Sequence, residues 1–221
     1  MSERMKEAVV TLCIGGAMDK MAKLTHPLMK QYADKIGAQF IIMREQLITL
    51  DNNLPLHFEK YQLRYLLELF DRAIFIDTDA FPVPECISLF DLVPEDKLGV
   101  NVVSDHTDIH NESMERFLKK QPALEWDGQY FNSGVMVVSK CHRDLFSFEF
   151  GQDVAFGEQT QLNMNRLWTG AEIHDIGYRY NHTSVPVGVS KDSSYILHYP
   201  GPDKDKTTKM IRKEIERRHL R

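Results

Sequence analysis

Ala73-Ile74-Phe75-Ile76-Asp77-Thr78-Asp79-Ala80-Phe81 decides how this chain is read. Four apolar, β-favouring residues suit a strand covered on both faces, and the first polar residues after them are two carboxylates spaced by two. Period-two geometry turns Asp77 and Asp79 to the same side, with Thr78 opposite. Two carboxylates about 4 Å apart repel by about 4 kcal/mol at an effective dielectric of about 20, so either one is protonated or a cation sits between them. A divalent ion meets that need. The plainer arrangement, in which one Asp caps a turn and the other is solvated, meets it too. Oxygen ligands select a hard ion, Mg2+ or Mn2+, and a histidine ligand shifts the choice to Mn2+.

Outward from this strand the chain alternates. Ala8 to Ile14 is a second, nearly continuous apolar run that leads into a Gly15-Gly16 turn. From Thr25 to Ile36, the side chains of Leu28, Tyr32, Ala33 and Ile36 share one helical face, and Gly37 supplies the stop. Gln39 to Met43 is a short strand, and Leu63, Leu66, Leu67 and Phe70 place a helix just ahead of Ala73. Beyond the aspartates come a connection with Pro82 and Pro84, a strand over Leu98 to Val103, and a strand over Val135 to Val138 reached through Gly134. A helix carrying Leu162 to Trp168 and a late strand over Tyr195 to His198 follow. This order predicts an α/β fold with a mainly parallel central sheet, helices on both faces and ligands at the carboxyl ends of the strands. His198 ends its strand and can reach the same crevice; taken alone, such a histidine is more commonly a hydrogen-bonded structural residue.

With 221 residues and no linker-like stretch, one domain over residues 1–221 is expected. The chain is 43% hydrophobic and 27% charged, which excludes disordered and fibrous classes. A net charge of -5 argues against a protein that mainly holds nucleic-acid phosphates, though a cation would let it take a small anionic ligand. Cys13, Cys86 and Cys141 are far apart and odd in number, so they read as buried thiols of a reducing compartment. No window approaches the ~18 apolar residues of a membrane span, and a cytoplasmic location is expected. Residues 203–221 hold eight Lys/Arg against four Asp/Glu, leaving -9 on the remainder. Met210, Ile211 and Ile215 form an apolar stripe there, on a helix over about 205–221 that either docks on the protein or rests on an acidic membrane surface.

Four segments in order resemble the nucleotide-sugar glycosyltransferases of the GT-A fold, most closely glycosyltransferase family 8, the glycogenin and lipopolysaccharide galactosyltransferase group. FEKYQLRYLLELFDRAIFIDTDAFP (58–82) is similar to the family's helix, strand and DxD motif, and QYFNSGVMVVSK (129–140) to its Phe-Asn-Ser-Gly strand. GEQTQLN (157–163) is similar to its Asp-Gln-Asp helix start, and HYPGPDK (198–204) to its His-x-x-Gly-x-x-Lys ending. The resemblance implies transfer of a sugar from a nucleotide-diphosphate donor, a UDP-sugar, to a hydroxyl of a glycan or other acceptor. It implies that Asp77, Asp79 and His198 bind Mn2+, with Asp77 also near the ribose. Lys204 would contact the diphosphate, Gly201 would allow close backbone approach, and Asn132 and Ser133 would meet sugar hydroxyls. Thr11 and the Gly15-Gly16 turn lie where the family holds the nucleoside. Lys60 and Arg64, four residues apart, are candidates to face the phosphates, or are ordinary solvated charges.

The sequence departs from the family where Glu158-Gln159-Thr160 replaces Asp-Gln-Asp and where no Trp follows Lys204. Glu158 and Gln159 are the catalytic candidates, stabilising the anomeric centre or orienting the sugar in a retaining transfer. Glu158 reads equally as a helix cap. An inverting enzyme of the same fold needs a general base, with Glu158, Asp153 or Asp127 available. Two other classes remain: a non-catalytic nucleotide-sugar-binding module, and a phosphatase using the DxD aspartates. The phosphatase motif normally opens its fold, whereas here two strand-helix units precede it.

Overall fold

A computed structural model describes residues 5–49, 54–103, 108–148, 157–183 and 188–220. In chain order the strands are β1 (Glu7–Leu12), β2 (Gln39–Met43), β3 (Arg72–Ile76), β4 (Ala80–Pro82), β5 (Leu98–Val102), β6 (Phe131–Ser139), β7 (Ile173–Asp175) and β8 (Ile196–His198). The helices are α1 (Gly16–Ile36), α2 (Leu63–Leu69), the single turn α3 (Leu89–Leu92), α4 (Asp108–Lys120), α5 (Gly157–Thr169) and α6 (Lys204–Arg217). Six strands form one sheet in the order β2-β1-β3-β6-β5-β7, while β4 and β8 pair separately. All neighbours in the large sheet are parallel except at β6, which runs antiparallel to both β3 and β5. The expected α/β architecture, a mainly parallel sheet with helices on both sides, is what the chain adopts.

The alternation in β3 shows why. Ala73 and Phe75 enter one core with Val10, Tyr61, Leu67, Met136 and Leu162. Ile74 and Ile76 enter the other with Val9, Met29, Tyr32, Val135 and Val137. Arg72 is buried at the start of β3 with its guanidinium on the Phe90 and Val93 carbonyls, the next four residues are apolar, and the first carboxylate appears where the strand leaves the sheet.

Several boundaries differ from the sequence expectation. α1 starts at Gly16 rather than Thr25, because Gly15, with φ 87°, turns the chain out of β1 in one step and leaves Gly16 free to be helical. Gly37 closes the helix in the left-handed conformation, as its position suggests. β4 has no counterpart in the sequence reading, since its three residues include Pro82 and carry no periodic signal. Cys13 and Cys86 are buried free thiols, but Cys141 is exposed, in the 3-10 segment Lys140–Phe146 where the chain turns away from the sheet.

The basic C-terminal segment is a docked helix. Ile211 is fully buried against Met21, Leu28, Phe81, Val83, Leu197 and Tyr199, Ile215 packs at the edge of that cluster, and Met210 points outward. Arg217 and Arg218 reach Glu214 and Asp192, tying the helix to the segment before β8. No helix among the described residues is long and apolar enough to cross a membrane. Ile211→Ala is expected to lower stability by about 2–4 kcal/mol, whereas Met210→Ala stays within about 0.5 kcal/mol. Denaturant unfolding of both variants checks this, and equal small losses would mean that α6 is not docked.

Candidate active site

The site begins where β3 ends. The Asp77 amide donates to the Gly134 carbonyl at 2.8 Å, which continues the β3–β6 ladder one residue past the strand. Thr78 then points down: its hydroxyl donates to the Leu12 carbonyl, and its own carbonyl accepts from Thr25 Oγ1 at 2.8 Å. A turn closed by Ala80 N–H to Asp77 C=O at 2.9 Å leads into β4. Pinned in this way, Thr78 leaves Asp77 and Asp79 facing the cleft. β4 pairs antiparallel with β8, with Ala80 opposite His198, so the histidine arrives beside Asp79 through backbone register. His198 Nε2 lies 3.2 Å from Asp79 Oδ1 and 3.9 Å from Asp77 Oδ2. One ligand atom from each of the three residues falls within 4.8 Å of the others.

Opposite the triad stands a buried cation. Lys60, in the 3-10 segment Leu56–Gln62, places Nζ 2.7 Å from Glu158 Oε1, 3.1 Å from Asp77 Oδ2 and 3.2 Å from Ser133 Oγ. The Ser133 hydroxyl also donates to Glu158 Oε1 at 2.6 Å. Burial pushes the Asp77 carboxyl up to about 6, with Lys60 opposing the rise and Asp79 adding to it. For Asp79 burial acts the same way but is outweighed by the hydrogen bond from His198 and by Lys204, so its pKa is lowered. Glu158 is likewise lowered, since Lys60 and the Ser133 hydroxyl outweigh its burial. Lys204 Nζ sits 3.4 Å from Asp79 Oδ2 at the more open side.

A chain of amides lines the third wall. Gln159 Oε1 accepts from Asn132 Nδ2 at 2.9 Å and from the Ser133 amide at 3.2 Å, and Asn132 Oδ1 accepts from the Gly134 amide at 2.9 Å. Gly134 has no alternative here: a Cβ at this position would lie 2.1 Å from His198 Cε1 and 2.7 Å from Nδ1. Together these walls enclose a cleft of about 430 Å³ at the carboxyl end of β3, lined by Lys60, Asp77, Asp79, Asn132, Ser133, Glu158, Gln159, His198, Gly201 and Lys204. Leu12, Ile14 and Met18 add an apolar stretch to its lining.

By sequence the chain matches no protein-family model and no curated protein. Solved structures resemble it over nearly its whole length. A glycosyltransferase involved in the glycosylation of the major capsid of PBCV-1 superposes with a TM-score of 0.62 at 11% identity, covering 94% of this chain and 99% of that one. The galactosyltransferase LgtC, solved with donor and acceptor sugar analogues, gives 0.54 at 12% identity, covering 93% of this chain and 95% of that one. The bifunctional glycosyltransferase WbbM gives 0.65 at 12% identity, covering 99% of this chain but 52% of its own length, so this chain spans about half of that protein. The chain has the GT-A fold.

Within the GT-A fold of this chain, two residues named from sequence lie outside the cleft. Thr11 is wholly buried in β1, its hydroxyl 3.3 Å from that of Thr78, so it supports the floor from below and offers nothing to a nucleoside. Arg64 turns away, with one guanidinium nitrogen 3.5 Å from Asp144. Lys60 lies in a 3-10 segment and Arg64 in α2, so a four-residue spacing does not put them on one face. Of the candidate bases for inversion, Asp127 forms a two-pronged ion pair with Arg166 at 2.5 and 2.7 Å and does not line the cleft. Asp153 lies outside the described residues.

Two further residues, in and beside the cleft, carry no signal in the sequence. His57 lines the cleft with Nε2 3.9 Å from Glu158 Oε2, and burial holds its pKa below the usual histidine value, so it is neutral near pH 7. Asn181 accepts a hydrogen bond from His198. The side-chain overlap at Gly134 gives a direct check. Gly134→Ala is expected to push the His198 ring aside, weakening the hold of the triad on any divalent ion about tenfold or more and costing about 1–3 kcal/mol of stability. Mn2+ titration and thermal melting measure the two effects, and unchanged metal affinity would count against His198 as a ligand.

Proposed function

We propose that this protein is a metal-dependent glycosyltransferase that moves a sugar from a nucleotide-diphosphate donor, a UDP-sugar, to a hydroxyl of a glycan or other acceptor with retention of configuration. The observation that carries this reading is the meeting of Asp77, Asp79 and His198 with Lys60 and Lys204 in one cleft at the carboxyl end of the sheet. The donor set suits the group: two carboxylates and an imidazole nitrogen fit Mn2+, with Mg2+ the poorer match for the histidine. When bound, such an ion neutralises charge on the departing diphosphate.

The chain's own residues do the rest. Lys204, at the open side of the triad, is placed to take the diphosphate as a mobile positive charge, and Gly201 presents bare backbone beside it. Asn132 and Gln159 hold each other in fixed orientation, so the polar groups they present to a sugar need no reordering on binding. Ser133 spends its hydroxyl on Glu158 and supports the wall from behind. Glu158, ionised and tied to Lys60 and Ser133, is a weak base but a well-placed negative charge for a positive anomeric centre. The engagement of Glu158 with Lys60 and Ser133 supports retention, in which phosphate oxygen helps to take the acceptor proton. The free thiols of Cys13, Cys86 and Cys141 support a reducing, cytoplasmic setting.

One observation favours a second course. His57 is neutral, lines the cleft and is backed by Glu158, as a general base for an inverting transfer would be. A screen of nucleotide sugars with Mn2+, followed by nucleotide diphosphate release, tests the proposal. Turnover is expected with a UDP-sugar and is expected to fall about a hundredfold or more in Asp79→Asn. Undiminished turnover in that variant would remove Asp79 from the site. NMR of the anomeric proton in the product is expected to show the donor's configuration retained, and inversion accompanied by loss of activity in His57→Gln would decide for the second course.

A further inference from the structure

Asn181 lies in an irregular stretch just after the 3-10 turn Tyr178–Tyr180, and its side chain is wholly buried. No feature of the sequence marks it. Its Oδ1 is 2.8 Å from His198 Nδ1, and its Nδ2 donates to Asn132 Oδ1 at 2.8 Å.

Two backbone amides fix the direction of the hydrogen bonds that run from Gln159 through Asn132 and Asn181 to His198 Nδ1. Ser133 N–H can only donate, so the Gln159 atom it meets is Oε1, and the Asn132 atom facing the same oxygen is Nδ2. Gly134 N–H can only donate, so the Asn132 atom it meets is Oδ1, which agrees with the first assignment. The Asn181 group that shares this oxygen must then be its NH2, which turns the Asn181 carbonyl oxygen to His198. A carbonyl oxygen can only accept. His198 Nδ1 therefore carries a proton, and Nε2, 3.2 Å from Asp79 Oδ1, is the nitrogen that faces the carboxylates: it carries a proton of its own while it donates to Asp79, and it offers its lone pair to a cation that displaces that proton. A second bond anchors Asn181 itself, its backbone carbonyl accepting from Asn101 Nδ2 at 3.4 Å.

We propose that Asn181 is a positioning residue that fixes the protonation pattern and ring orientation of His198 for metal binding, and that it links this ligand through Asn132 to the wall that meets the sugar. The proposal rests on the metal reading above. Its consequence is that metal affinity and the set of Asn132 are not independent, because one side chain touches both.

The test uses the whole 221-residue chain and Mn2+ alone, with no donor present. Free Mn2+ is counted by electron paramagnetic resonance. Asn181→Leu removes the acceptor and is expected to weaken Mn2+ binding about tenfold or more, whereas Asn181→Asp keeps an acceptor for Nδ1–H and is expected to stay within about threefold of wild type. Thermal melting shows whether each variant is folded. Wild-type affinity in folded Asn181→Leu would overturn the proposal, and so would equal loss in both variants. Nitrogen NMR of the metal-free wild-type chain with labelled histidine, the His198 signals assigned by their loss in His198→Gln, needs no Asn181 variant. A protonated Nδ1 is expected there, and an unprotonated Nδ1 would overturn the proposal even if Asn181→Leu fails to fold. Failure of wild type to bind Mn2+ is a different result: it removes the metal reading beneath the proposal, while the NMR arm still reports on the tautomer.

Discussion

Three carboxylates, Asp77, Asp79 and Glu158, converge on one cleft at the end of a strand buried on both faces, and their mutual repulsion is the constraint that the surrounding structure answers. Lys60 supplies the main answer. Its ammonium lies between Asp77 and Glu158, and although burial disfavours the charged form, the two carboxylates more than offset that and raise its pKa. A flexible lysine would lose much of this in rotamer entropy, so the segment that carries it is held from the other side. Glu59, next in the chain, is itself buried and accepts from the amides of Leu47, Ile48 and Thr49, from the Thr49 hydroxyl and from Gln62 Nε2. Adjacent residues thus face opposite ways, one fixing the 3-10 segment to the 47–49 loop and the other delivering a cation to the cleft.

The reversal of β6 in an otherwise parallel sheet serves the same place. Antiparallel pairing of β3 with β6 sets Ile76 against Val135, so the start of one strand lies beside the end of the other and Asn132, Ser133 and Gly134 fall next to the aspartates. A register shift between β5 and β6 at Val100/Asn101 turns Asn101 toward the backbone of Asn181. Segments as far apart in the chain as Ile76 and Val135, or Ala80 and His198, need not find each other through side chains. Backbone ladders bring them to within ångströms, and the polar side chains then lock the last few degrees.

How much of this was legible depended on whether a residue's role was written in its own neighbourhood. The strands β1, β3 and β6 announced themselves as apolar runs, and Asp77, Asp79 and His198 were readable as the first polar residues at strand ends. β4 was not, because three residues with a proline hold no period, yet β4 is the element whose pairing with β8 puts His198 beside Asp79. Lys60 and Arg64 looked equivalent on paper; a change from 3-10 to α geometry at Leu63 separates them. Thr11 resembled a cleft residue by position but faces Thr78 inside the core. Asn181 and His57 carry no local signal at all, since what defines them is a partner 17 or 101 positions away.

Charge accounting explains why such a site can exist before any ligand arrives. Lys60, Lys204 and the Asp79–His198 contact offset much of the negative charge, so the carboxylates can share one cleft. A dication entering alone would overshoot that balance, and a multiply charged diphosphate entering alone would meet three carboxylates. On the proposed reading the two would nearly cancel when they enter together, and Lys204 would turn from Asp79 to the phosphates. Each ligand should therefore favour the other, and by linkage the favour is equal in both directions. Lys60, by contrast, has no reason to move: its partners are the protein's own carboxylates, and drawing it away would leave Glu158 buried and uncompensated. The two lysines named from the sequence as phosphate contacts thus divide: Lys60 is held between Asp77 and Glu158 as part of the framework, while Lys204, half-open beside Asp79, is the one that the proposed reading turns to the donor.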